Sequence, residues 1–148
     1  MPRLETFILG EVKGLARPRA STFRGHARMY DPSQNTNEKG RLQVHFLDTV
    51  RKLGLSYPFD CDEKGFFVRI VASFNPPKSF SKKKREAALN GEIAPMKKPD
   101  SDNIAKLVLD SLNGFAWSDD AKVTRLIVEK TFFQVEGINL EIVWEEPK

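Results

Sequence analysis

The sequence predicts an α+β fold, a two-layer sandwich with two main helices on one face of a mostly antiparallel sheet. Three observations lead there. Four separate stretches are rich in alternating, β-branched or aromatic residues. Two longer segments repeat apolar residues at the helical period. Their order, strand–helix–strand, then a basic stretch, then helix–strand–strand, implies helices gathered on one face of a sheet. No repeat or long linker divides the chain, so residues 1–148 are expected to form a single domain.

Residues 5–13 alternate loosely, with Phe7, Leu9 and Val12 apolar, and are read as a first strand. From Gly14 through Arg17-Pro-Arg19 to Tyr30-Asp-Pro32 there is no clear period, and the prolines and glycines argue against a helix. So long an irregular stretch in a small domain is either functional or mobile, and its arginines favour a functional reading. Asn37-Glu38 opens a helix whose Leu42, Phe46, Leu47 and Val50 form one stripe, with Gly54 as its stop. His45 lies in that helix and is assigned no role.

Residues 65–74 form a second strand, ended by Asn75-Pro-Pro77 because proline has no N–H for the ladder. Ser81 caps a short lysine-rich helix running to Leu89. Pro95 and Pro99 keep the next segment extended. From Asp100 the pattern is helical: Ile104, Leu107, Val108, Ser111 and Leu112 share one side, and Asp102, Lys106 and Asp110 share the other. Asn113-Gly114 stops the helix. A third strand, 123–133, carries Val123, Arg125, Ile127, Glu129 and Thr131 on one face. A turn at Glu136-Gly137 leads to a fourth strand, 138–144, and these last two are expected to pair as an antiparallel hairpin.

The net charge is +4, and its distribution matters more than its size. Arg17, Arg19, Arg24 and Arg28 crowd one segment; Lys78, Lys82, Lys83, Lys84 and Arg85 crowd another. Such clusters attract a phosphate backbone, although solvated basic loops would look the same. Cys61 is the lone cysteine, which excludes an internal disulfide framework, and with His26 and His45 as the only histidines a zinc site is not expected. The first residues are charged where a signal peptide needs an apolar run, and no stretch approaches the ~20 apolar residues of a membrane span. These features are those of a soluble, cytoplasmic protein.

Chemistry concentrates between Lys98 and Asp120. Asp100 and Asp102 stand two apart at a helix entrance, so one short piece of backbone aims both. Lys106 follows Asp102 by one turn, and Asp119 and Asp120 lie in the loop beyond the helix. Mg²⁺ prefers a few carboxylates plus water and substrate phosphate, so this set suits a metal acting on a phosphodiester. Either Asp119 or Asp120 would have to close back on the helix start. The same residues have a purely structural reading: Asp100 as an N-cap, Asp102 as a first-turn acid or the partner of Lys106 in an ion pair, Ser118-Asp-Asp as a turn. Trp117 and Phe115 are read as hydrophobic anchors of that loop.

The run Pro99-Asp-Ser-Asp-Asn-Ile-Ala-Lys-Leu-Val-Leu-Asp-Ser-Leu-Asn-Gly114, followed by Trp117-Ser-Asp-Asp-Ala-Lys-Val123, resembles the core signature of RusA-type Holliday junction resolvases. These are phage- and prophage-associated endonucleases. The resemblance implies that Asp100, Asp102 and Asp120 are metal ligands and that Lys106 is the essential lysine of the site. It extends more weakly to Ser79-Phe-Ser-Lys-Lys-Lys-Arg85 and to Arg17-Pro-Arg19 with Tyr30. Here Leu15-Ala16 separates Lys13-Gly14 from Arg17-Pro-Arg19, a wider spacing than the tighter arrangement of the phage-type members.

The resemblance therefore implies a homodimeric endodeoxyribonuclease, dependent on Mg²⁺ or Mn²⁺, that resolves four-way junctions by paired symmetric nicks. Arg17, Arg19, Lys82, Lys83, Lys84 and Arg85 would bind branched DNA; neither a membrane nor a small-molecule cofactor is expected. A non-catalytic DNA-binding or recombination-accessory protein on the same scaffold is the competing expectation.

Overall fold

The computed structural model describes residues 1–16, 19–23, 25–30 and 33–148, the strands within 19–30 through their backbone. A four-stranded sheet has the order β1 (Arg3–Leu9), β6 (Gly137–Val143), β4 (Phe66–Phe74), β5 (Val123–Phe132). A separate hairpin pairs β2 (Arg19–Phe23) with β3 (His26–Tyr30). The helices are α1 (Ser33–Leu53), α2 (Lys82–Leu89) and α3 (Ser101–Leu112), and a 3-10 turn spans Asp120–Lys122. The α+β class holds, with two of the three pairings in the main sheet antiparallel and one, β4 with β5, parallel.

The helix-covered face of the sheet follows from register. Leu4, Thr6 and Ile8 of β1 stand opposite Ile142, Leu140 and Ile138, which in turn stand opposite Val68, Ile70 and Ala72. All but Thr6 are buried, and α1 adds Leu42, Phe46 and Val50 while α3 adds Ile104, Leu107, Val108 and Leu112. Each contribution is one stripe at its own period, which is why, among the described residues, the layers close without an unpartnered buried polar side chain. Gln43 of α1 ties the helices together by donating to Ser111 O of α3 at 3.0 Å.

Three expectations are corrected. The closing strands do not form a hairpin: β6 inserts between β1 and β4, and β5 lies on the far side of β4. The cause is competition for the centre. β4 buries Phe66, Val68, Ile70, Ala72 and Phe74 and half-buries Phe67 and Val71, whereas β5 exposes Thr124, Arg125, Leu126 and Glu129. The strand apolar on both faces takes the interior, and the exposed strand takes an edge. The connection 133–136 then crosses the end of β4, where Phe133 N–H donates to Phe74 O at 2.8 Å and Asn75 N–H to Glu136 Oε1 at 3.2 Å. Two strand spacings are about 10 Å, within reach of four residues. Gly137 is needed at the landing point, since a Cβ there would stand 2.5 Å from Ile8 O.

Second, the stretch read as irregular contains the β2–β3 hairpin, with Arg19 opposite Tyr30 and Phe23 opposite His26. Third, α1 begins at Ser33, four residues before Asn37, because its first turn does tertiary work: Asn35 is 1% exposed and bonded to Ala16. Among the described residues no helix is long and apolar enough to cross a membrane.

Candidate active site

α3 is amphipathic in the register its sequence implies. Ile104, Ala105, Leu107, Val108, Ser111 and Leu112 are buried, while Asp102 and Lys106 are exposed and Asp110 is half-buried on the other side. Asp100 occupies the N-cap with extended backbone, yet its side chain makes no capping hydrogen bond. The other caps behave differently: Ser81 Oγ accepts from Lys84 N–H at 3.1 Å, and Asp119 Oδ1 from Ala121 N–H at 3.1 Å. Asp100 therefore stands where a cap belongs with its carboxylate uncommitted, its ionic contact being Lys98 Nζ at 3.6 Å. Among the described residues no ion pair joins Asp102 to Lys106, so both remain available on the helix surface.

The second acidic pair is placed by a tryptophan. Trp117 is fully buried, lies 5.7 Å from the Phe66 ring and donates its indole N–H to Asn113 Oδ1 at 3.1 Å. It is a core anchor, as its sequence context suggested, and pins the loop to the C-terminal end of α3. Asn113 Nδ2 in turn stands 3.5 Å from Asp120 Oδ2. Asp119 spends its carboxylate capping the 3-10 turn, which leaves Asp120 the freer of the two.

Asp120 and Asp100 thus lie at opposite ends of one helix. The 12 residues of α3 correspond to about 18 Å. Sheet register also puts them at opposite ends: Val123, three residues after Asp120, pairs with Phe66 at the start of β4, whereas the Asp100 approach lies at its end, where Lys130 donates to Lys97 O near Phe74. The structure brings Asp100, Asp102 and Lys106 together on α3 and leaves Asp120 apart. Among the described residues no group of three or more metal-ligating side chains is assembled. Asp100, whose ionic contact is Lys98, and exposed Asp102 are oxygen donors and fit an incompletely coordinated Mg²⁺ or Mn²⁺ that keeps waters.

The lysine-rich helix shares the Asp100 end. α2 follows the end of β4 and is fixed by Phe80, which packs on Phe132 at 5.7 Å. Lys82, Lys83 and Lys84 are exposed, with Lys84 Nζ 4.3 Å from the Phe80 ring centre. Arg85 is half-buried and donates to Pro76 O at 3.4 Å, so part of its role is to hold α2 in place. Arg17 and Arg24 lie outside the described residues; Arg19 opens β2 and Arg28 lies in β3, each described through backbone alone.

A family model, endodeoxyribonuclease RusA, matches residues 10–143, which takes in every element from β2 to β6. The chain belongs to the RusA endodeoxyribonuclease family. It is also 30% identical over 139 residues to YqaN of Bacillus subtilis strain 168, an uncharacterised protein, covering 91% of this chain and 92% of YqaN.

Five residues border this candidate site. A cleft of about 330 Å³ beside Asp100 is lined by Lys13, Gln34, Lys98 and Asn103, among others, and Asn35 holds its rim. Gln34 had no period or motif to mark it, and Lys13 was marked only through the widened spacing between Lys13-Gly14 and Arg17-Pro-Arg19. Asn35 carried a signal only in hindsight, as an amide in a helix turn that no cap or stripe required.

Proposed function

We propose that this chain is a divalent-metal-dependent endodeoxyribonuclease that resolves four-way DNA junctions by paired, symmetric nicks. The observation that carries the reading is the uncommitted Asp100 carboxylate at the start of α3, with Asp102 and Lys106 exposed on the same helix, in a chain matched to the RusA family along most of its length. Asp100 and Asp102 would hold Mg²⁺ or Mn²⁺, joined by Asp120. When bound, the cation would polarise the scissile phosphate and lower the pKa of the attacking water. Lys106 would neutralise charge on the phosphate oxygens as the bond breaks. Arg17, Arg19, Lys82, Lys83, Lys84 and Arg85 would grip the backbone without reading bases.

The separation of Asp120 from Asp100 gives the homodimer a specific task. If two copies pair about a two-fold axis with their α3 helices antiparallel, the end bearing Asp120 of one copy meets the end bearing Asp100 and Asp102 of the other. An isologous pair repeats the arrangement at both ends, yielding two sites for two opposed strands of a two-fold symmetric junction.

The test is to incubate purified protein with a synthetic four-way junction in Mg²⁺, in Mn²⁺ and in EDTA. Symmetric nicks with either metal and none in EDTA are expected. Binding without cutting in all three would instead identify a DNA-binding accessory protein.

A further inference from the structure

Residues 10–16 leave the end of β1 and run across the first turn of α3 before the chain enters the β2–β3 hairpin. Leu15 N–H donates to Asn103 O at 3.0 Å. Gly14 lies so close to that turn that a Cβ on it would stand 2.9 Å from both Asn103 Cβ and Pro99 Cβ, closer than side-chain carbons approach. Ala16, the last residue of the strap, is held by Asn35: Ala16 N–H donates to Asn35 Oδ1 at 2.8 Å, and Asn35 Nδ2 donates to Ala16 O at 2.8 Å. One side chain thereby satisfies both backbone groups of one residue, as a neighbouring strand would.

Asn35 and Ala16 are nineteen positions apart and lie on opposite sides of the hairpin, one leading in and the other in the first turn of the helix leading out. Their bonds close the neck of the arginine-bearing arm. Asn35 is 1% exposed and Ala16 half-buried, so the amide side of the closure is shielded from water. The neck then rests, through Gly14 and Leu15, on the turn carrying Asp100, Asp102 and Asn103. Lys13 and Lys98 line the cleft between, beside Asp100.

We infer that Asn35 is a positioning residue that latches the neck of the basic hairpin onto the first turn of α3, so that the DNA phosphates gripped by the arm are set in fixed register with the Asp100 and Asp102 carboxylates. This rests on the nuclease reading and adds to it the device that decides which phosphodiester is presented. A loosened latch leaves arm and carboxylates intact but uncoupled. Saturating DNA cannot repair that, because bound DNA would still sit in several registers. Misplacement by about 1 Å is enough to cost on the order of a hundredfold in rate.

The experiment uses full-length parent, Asn35→Ala, Asn35→Asp and Gly14→Ala, each first checked by thermal unfolding and circular dichroism. Asn35→Asp keeps the acceptor for Ala16 N–H but sets an oxygen against Ala16 O. Gly14→Ala pushes the strap from α3 with Asn35 untouched. Single-turnover cleavage of an end-labelled four-way junction in Mg²⁺, with protein in excess, gives both rate and nick position. The expected result is a rate lower by roughly tenfold or more, with nicks spread from one phosphodiester to its neighbours in all three variants. Variants that unfold at a lower temperature yet cut at the parental phosphodiester and parental rate overturn the inference and reduce the latch to a stabilising contact. A parent protein that binds the junction but cuts nothing with either metal overturns the nuclease reading, and this inference with it.

Discussion

Asn113 Nδ2 and Asp120 Oδ2 stand 3.5 Å apart, which fixes Asp120 at the C-terminal end of α3 while Asp102 lies in the first turn of the same helix. If the active site is completed between two copies, two impaired variants should rescue each other. Asp102→Asn and Asp120→Asn proteins are each expected to cut junctions on the order of 10²–10³-fold more slowly than the parent. After mixing and exchange, roughly half the dimers are hybrids by random reassortment, and each hybrid has one site with both native carboxylates and one with neither. The expected product is a junction nicked in one strand only. Measured by denaturing gel electrophoresis, no recovery despite proven subunit exchange would place the whole site within one chain.

Asp102→Asn removes one charge from the helix surface without touching a core residue or a hydrogen bond among the described residues. Cleavage in Mg²⁺ is expected to fall by on the order of 10²–10³-fold, while junction affinity measured by anisotropy in EDTA stays near parental. Lys106→Ala is expected to follow the same split. Equal losses of binding and cleavage would make Lys106 a simple backbone contact.

How much of this was legible in the sequence depended on whether a feature answered to local period or to tertiary competition. The α3 register was legible because its apolar stripe and its acid–base row both obey one period, and the Ser81 cap was legible from residue type alone. The partner of β6 was not, because the hairpin rule sees only the short 133–136 connection, while the centre of the sheet goes to β4, the strand with apolar residues on both faces. The β2–β3 hairpin was hidden by weak alternation through Ala20, Ser21, Ala27 and Arg28. Asp100 and Asp102 were found as a pair by spacing, but the position of Asp120 follows from the burial of Trp117, which ties the loop to the far end of α3.

The lysines of α2 test the phosphate-grip assignment. Lys82, Lys83 and Lys84 are exposed, and replacing all three with Ala leaves the Ser81 cap, which binds backbone. Each duplex phosphate contact contributes about 0.9 to the slope of log affinity against log salt. The triple variant should therefore lose about 2–3 in slope, less if Lys84 stays engaged with the Phe80 ring. An unchanged slope with unchanged affinity would make α2 a solvated flank.

His45 predicts a pH dependence of stability unrelated to catalysis. Its Nε2 lies 2.8 Å from Thr6 Oγ1, tying α1 to β1, and burial pushes its pKa below the ordinary value of 6.5, with Arg41 and Lys52 acting the same way and Asp48 opposing them. The folded state therefore favours neutral imidazole. Above pH 6.5 the ring is largely neutral in both folded and unfolded chains, and the stability associated with it is fully present. As pH falls below 6.5 the unfolded chain takes up the proton first, so stability declines until the folded form protonates as well. Thermal unfolding between pH 7.5 and 5.5 should show the parent losing more than His45→Gln, whose amide can still bond Thr6 but does not titrate. Parallel curves for the two proteins would mean that His45 carries none of the dependence.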